Sequence, residues 1–178
     1  MTKKENFIWK FLQVVSWIIF IGFCIQTGTL IFNFIYSLFR PIATHDLYLK
    51  LNLSDLYERN FFLYVALFSL AITISGISAW LFYLVLKLFD RLNLIKPFSE
   101  DVADHISRIS YYAFSIGLLG LIATSFSREL TKKGFEVSSI NRFWEDSMTF
   151  LMMSAIIFII SLIFKRGIEL QKENDLTV

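Results

Sequence analysis

An all-α, integral membrane four-helix bundle with short interfacial helices is the fold class this sequence predicts, on three observations. Four uncharged runs, residues 11–39, 61–86, 109–127 and 147–164, are 29, 26, 19 and 18 residues long, and about 20 apolar residues cross a bilayer's hydrocarbon core. Apolar residues make up 56% of the chain, Phe alone supplies 20, and charged residues only 18%, against roughly 25% in a soluble domain. Polar segments rich in charge separate the runs. At 178 residues the chain suits one domain, with helices expected at about 10–39, 61–87, 100–128 and 146–168 and a flexible tail over 169–178, its IELQKENDLTV stretch helical for a turn or two and then frayed.

The first run follows Lys3, Lys4 and Lys10. It is far longer than the 7 to 15 residues typical of a signal peptide's apolar region and shows no small-residue cleavage site, so it reads as a retained membrane helix. Arg40 and Pro41 end it. The next segment mixes acids and bases with leucines, and its SDLYER stretch predicts a short interfacial helix, with Ser54 as N-cap and Asp55 and Glu58 ahead of Arg59. In the second run Ala71, Ser75 and Ala79 repeat every four residues beside Gly76, a face that lets two helix backbones approach closely in lipid.

Between the second and third runs lies the joint DRLNLIKPFSEDVADHISR, residues 90–108. Asn93 and Pro97 break the preceding helix, and Ser99 is placed to cap the next, with Glu100 and Asp101 at the positive end of its dipole. Val102, Ile106 and Ile109 then recur at helical spacing, which predicts an amphipathic turn or two on the membrane surface. The third run carries a second small face, Ala113, Gly117, Gly120 and Thr124, expected to pack on that of the second run. The polar loop over residues 129–146 has the length of a short lid or interfacial turn. The fourth run opens with Met148, Met152 and Met153, which read as gap-filling packing because no His or Cys stands beside them to complete a copper site.

Four crossings put both termini and the joint on one side. That side holds ten of the 17 Lys and Arg residues and the two opposite loops hold seven, so the positive-inside rule places the termini and joint in the cytoplasm. Residues 96–104 and 165–178 then share a compartment and form one surface.

Recognisable chemistry is absent. No dinucleotide, phosphate-loop or zinc-protease motif occurs. His45 and His105 fall on opposite sides of the membrane, and Cys24 stands alone within the first run, where it reads as a small lipid-facing or packing residue and excludes an intramolecular disulfide. Ser99, His105 and Asp101 or Asp104 make a Ser-His-Asp set only on paper, without a nucleophile elbow. The formal net charge of +2 comes from nearly balanced groups, which argues against direct nucleic-acid binding. No carboxylate, lysine, arginine or histidine sits at membrane depth, unlike proton-coupled transporters; a channel for a small solute would use Thr27, Asn33, Ser75 and Thr124. No enzymatic activity, cofactor or metal is expected.

The PFSE at residues 97–100 and the close FKRGIELQKENDLTV at residues 164–178 resemble the bacterial family known as domain of unknown function 2975, over nearly the whole chain. The positions that carry the resemblance are Pro97, Phe98, Ser99 and Glu100, then Phe164, Gly167, Leu170, Glu173, Asp175, Leu176, Thr177 and Val178. It implies an uncharacterised protein of the bacterial cell membrane that works with a cytoplasmic helix-turn-helix regulator. Together these readings give a non-enzymatic interaction or sensory module, with membrane lipids and a second copy of the chain as further partners. The alternative is a small transporter or channel.

Overall fold

The computed structural model describes residues 3–40, 44, 47, 50–92 and 98–175. Its four long helices are α1 (Lys3–Phe39), α3 (Phe61–Arg91), α4 (Glu100–Lys132) and α5 (Ser147–Asp175), with the short α2 (Ser54–Arg59) and a 3-10 helix (Ser138–Phe143) in the connections. All four long helices are long and apolar enough to cross a membrane. The all-α membrane bundle is therefore the fold, and no named strand occurs among the described residues.

The long helices outrun the apolar stretches that predict them. α5 continues through IELQKEND to Asp175, so the tail expected to stay helical for a turn or two does so as far as that residue. Its Glu, Leu, Gln and Lys are strong helix formers and need no apolar surroundings to continue the helix. α4 runs to Lys132 because Gly134, at φ +81°, ends it in a Schellman turn. The Gly134 N–H donates to Thr131 O at 3.0 Å and the Phe135 N–H to Leu130 O at 3.1 Å, satisfying carbonyls that the helix end leaves open.

The caps divide similarly. Ser99 caps α4 as expected, its Oγ accepting from the Val102 N–H at 3.4 Å. Ser54 does not cap α2. It is the first helical residue, and both its N–H (3.3 Å) and its hydroxyl (2.9 Å) donate to Asn52 Oδ1, because Asn52 reaches the turn first. Asn60 caps α3 by accepting from the Leu63 N–H at 3.1 Å.

α1 packs along α3, α3 along α4 and α4 along α5; among the described residues no close backbone approach joins α1 to α4 or α5. The glycines of the two small faces look toward different helices. A Cβ at Gly117 would stand 2.9 Å from the Leu151 backbone nitrogen, and one at Gly120 would overlap Ser147 Oγ and lie 2.8 Å from its Cβ. The small face of α4 therefore seats α5. On α3, Ser75 accepts from Gln26 Nε2 of α1 at 3.1 Å, and Gly76 looks toward Thr27. Small residues record that something comes close but carry no mark of what it is.

Hydrogen bonds fix the register of each neighbouring pair. Tyr64 Oη of α3 donates to Ser37 Oγ of α1 at 2.7 Å, and Ser110 Oγ of α4 donates to the Ser154 carbonyl of α5 at 3.0 Å. His105 Nε2 of α4 lies 2.9 Å from the Leu84 carbonyl of α3; a carbonyl only accepts, so Nε2 carries the proton.

The two connections at the far end of the bundle from α4's N-terminus knit into one cap. The Asn52 N–H donates to Ser139 Oγ at 3.3 Å, Ser139 Oγ donates to the Asn52 carbonyl at 3.1 Å, and Arg59 Nη1 donates to the Gly134 carbonyl at 3.1 Å while its guanidinium lies 4.2 Å from the Phe135 ring centroid. Beneath it Leu51, Leu53, Leu56, Val137, Ile140 and Trp144 are buried. The segments expected to be an interfacial helix and a lid are thus a single structure.

Gly120→Ala should destabilise the protein by about 1–3 kcal/mol, the usual cost of overpacking a filled site. Gly22→Ala, where a Cβ would meet nothing within 4 Å, should leave stability unchanged or raise it by up to about 1 kcal/mol, the helix-propensity gain of Ala over Gly. Reversible unfolding in mixed micelles measures both, and equal effects would contradict the α4–α5 approach.

Candidate functional site

The joint and the end of α5 come together at the pole opposite the cap. Once Ser99 has turned the chain into α4, Glu100 and Asp104 stand one helical turn apart and face α5. Lys172 Nζ donates to Glu100 Oε1 at 2.6 Å, and Lys165 Nζ lies 3.8 Å from Asp104 Oδ1. Arg91, in the last turn of α3, pairs with Asp101. One acidic helix start is thereby tied to both neighbouring helices.

Under the ion pairs lies an apolar contact. The Phe98 ring sits against Gly167, where a Cβ would stand 2.7 Å from two ring carbons, and its centroid lies 5.3 Å from that of Phe164. Val102 and Ile106 of α4 and Ile168 of α5 are buried. The ion pairs are exposed, so solvent and salt screen them. The Phe98–Gly167 contact is steric, so it sets the geometry that the charges then decorate. We call this arrangement the clasp.

Of the sequence-predicted interaction residues, the structure gathers Phe98, Ser99, Glu100 and Gly167 in the clasp. Leu170 lies beyond it on α5 and is 56% exposed, and Glu173 is exposed and has an interaction partner. Asp175 is the last residue of α5. Pro97, Leu176, Thr177 and Val178 lie outside the described residues, as do Pro41 and His45. Sequence reasoning puts residues 96–104 and 165–178 on one surface but does not pair Glu100 with Lys172, Asp104 with Lys165, or Arg91 with Asp101 inside the joint. The signal was present in the acids at 100 and 104 and the bases at 165 and 172, each pair on one helical face.

The residues of the paper Ser-His-Asp set are each engaged elsewhere: Ser99 caps α4, His105 bonds to the Leu84 carbonyl, Asp101 pairs with Arg91 and Asp104 with Lys165. Met148 and Met152 point outward, 64% and 71% exposed. Among the described residues no three His, Cys, Asp or Glu side chains are placed to share a metal ion.

A second feature sits under the cap, a cavity of about 200 Å³ lined by Gln26 of α1, Ser78 of α3, and Arg142, Trp144, Asp146 and Ser147 of the cap and α5. The Trp144 indole N–H is buried without a partner among the described residues. None of Thr27, Asn33, Ser75 and Thr124 lines this cavity. Thr27 and Thr124 donate to the carbonyls of Phe23 and Gly120, each at 2.8 Å, Ser75 accepts from Gln26, and Asn33 is buried with a partner.

A double-mutant cycle on Glu100→Gln and Lys172→Gln should give a small favourable coupling that shrinks in high salt. Gly167→Val should cost more, about 1–3 kcal/mol, with no salt dependence. Unfolding at two ionic strengths separates the two contributions, and a salt-dependent Gly167→Val effect would mean that charge holds the clasp.

Residues 39–178 match a family model described as "Protein of unknown function (DUF2975)", and the chain belongs to this family. The match takes in α2 to α5 and leaves nearly all of α1 before it, a shorter span than the resemblance read from the sequence. No curated protein and no solved structure matches the chain.

Proposed function

We propose that this member of the DUF2975 family is a non-enzymatic interaction or sensory module of the bacterial cell membrane. It crosses the membrane four times, with both termini and the clasp in the cytoplasm and the cap outside. The observation that carries the reading is the clasp together with the helix that leaves it. Past the last uncharged run α5 continues for about eleven residues, roughly 16 Å at 1.5 Å per residue. On this projecting stretch and beside it, Leu170 and Phe98 remain 56% and 41% exposed among charged residues. Large apolar side chains beyond the membrane, on a helix held rigid by its neighbours, suit docking by a soluble protein. The partner in this reading is a helix-turn-helix regulator held at the membrane.

A photoreactive residue replacing Leu170 should crosslink one soluble cytoplasmic protein in native cells, and the same residue replacing Glu136 in the cap should not. Capture should fall at least tenfold in Gly167→Val, and removal of residues 169–178 should release the captured protein from membranes while this protein still accumulates. Capture from Glu136 instead, or capture indifferent to Gly167→Val, would overturn the reading.

The cavity under the cap favours a second reading, a small transporter or channel with a solute site near Gln26. In proteoliposomes it requires solute flux that falls at least tenfold in Gln26→Leu at unchanged protein stability; flux equal to that of empty vesicles would end it.

A further inference from the structure

We propose that a groove between α1 and α3 holds one acyl chain of an anionic phospholipid whose phosphate is bound by Lys87. The groove has a volume of about 620 Å³, with Gly28 and Gly76 in its floor, Phe20, Trp80 and Tyr83 among its walls, and Lys87 at one end.

Its glycines differ in kind from those between α4 and α5. A Cβ at Gly28 would meet nothing within 4 Å, and one at Gly76 would first meet Thr27 Cγ2 at 3.9 Å. The protein's own packing leaves their space empty. They keep a channel open along the helix pair rather than letting two backbones touch.

The dimensions and charge suit a lipid of one leaflet. Gly76 to Lys87 is eleven steps along α3, about 16 Å, close to half of the roughly 30 Å hydrocarbon core. At the polar end Trp80 and Tyr83 stand where interfacial aromatics collect, their ring centroids 5.3 Å apart. The Lys87 ammonium lies 4.7 Å from the Tyr83 centroid and makes no ion pair among the described residues. A cation held at the interface above an empty apolar slot is complementary to a phosphate with its chain below. A second copy's helix would fill the slot but would leave that cation unmatched.

The test uses the full chain with Trp9→Phe and Trp17→Phe, which leaves Trp80 in the groove and the buried Trp144 as a constant background. It is reconstituted with dibrominated phosphatidylglycerol or dibrominated phosphatidylcholine at equal mole fraction, and tryptophan quenching is read. The expected selectivity for the anionic lipid is about fivefold, what ~1 kcal/mol per interfacial lysine corresponds to. It should fall to about one in Lys87→Gln, and Gly76→Leu should reduce quenching by both lipids. Equal quenching by the two lipids, a preference that survives Lys87→Gln, quenching unchanged by Gly76→Leu, or Trp80 shielded from both lipids in a protein-concentration-dependent way would each overturn the proposal.

Discussion

The closeness of α4 and α5 is the constraint on which the rest of the molecule depends. In lipid the hydrophobic effect does not draw helices together, so they hold where their surfaces fit and polar groups pair. Gly117 and Gly120 remove the side chains that would keep Leu151 and Ser147 away, and Ser110 adds a hydrogen bond to the Ser154 carbonyl farther along. At the clasp Gly167 repeats the device with the roles exchanged, α5 supplying the gap and the joint supplying the Phe98 ring. One antiparallel pair, α4 with α5, therefore runs from the cap to the clasp. The residues at both poles are positioned by the same contact.

The other half of the bundle is built differently. α3 is the shared neighbour, touching α1 on one side and α4 on the other, and its polar groups face both ways: Ser75 and Tyr64 toward α1, the Leu84 carbonyl toward His105. Among the described long helices only α3 makes a close backbone approach to α1, and much of α1's surface, from Phe7 to Phe39, is exposed. The family match begins where α1 ends. The cap, the clasp and the pair that joins them all lie inside the matched region. The lipid groove straddles its edge, since α1 supplies one wall.

Legibility followed the range of the interaction. Ser99 could be read as a cap because capping needs only the next three residues, and the helix start of α4 was read correctly. Asn60 and Gly134 act over equally short range, Asn before an apolar run and Gly after a lysine pair, and their signals are local too. Ser54 was misread because Asn52, two residues upstream, takes both its N–H and its hydroxyl. Of the small faces at residues 71–79 and 113–124, expected to pack on each other, Gly117 and Gly120 meet α5 instead and Gly76 looks toward α1.

Helix number, helix type and the presence of membrane spans were determined by the sequence alone, because length, hydropathy and local capping are properties of a segment by itself. Tertiary structure alone decided which helix each small face receives, that two loops form one cap, that Glu100 and Asp104 meet Lys172 and Lys165, and that the glycines of one helix pair are filled while those of another stand empty. The physical reason is that packing in a membrane depends on the shape of two surfaces together. A sequence states what each surface offers, and only the assembled chain states which surface it meets.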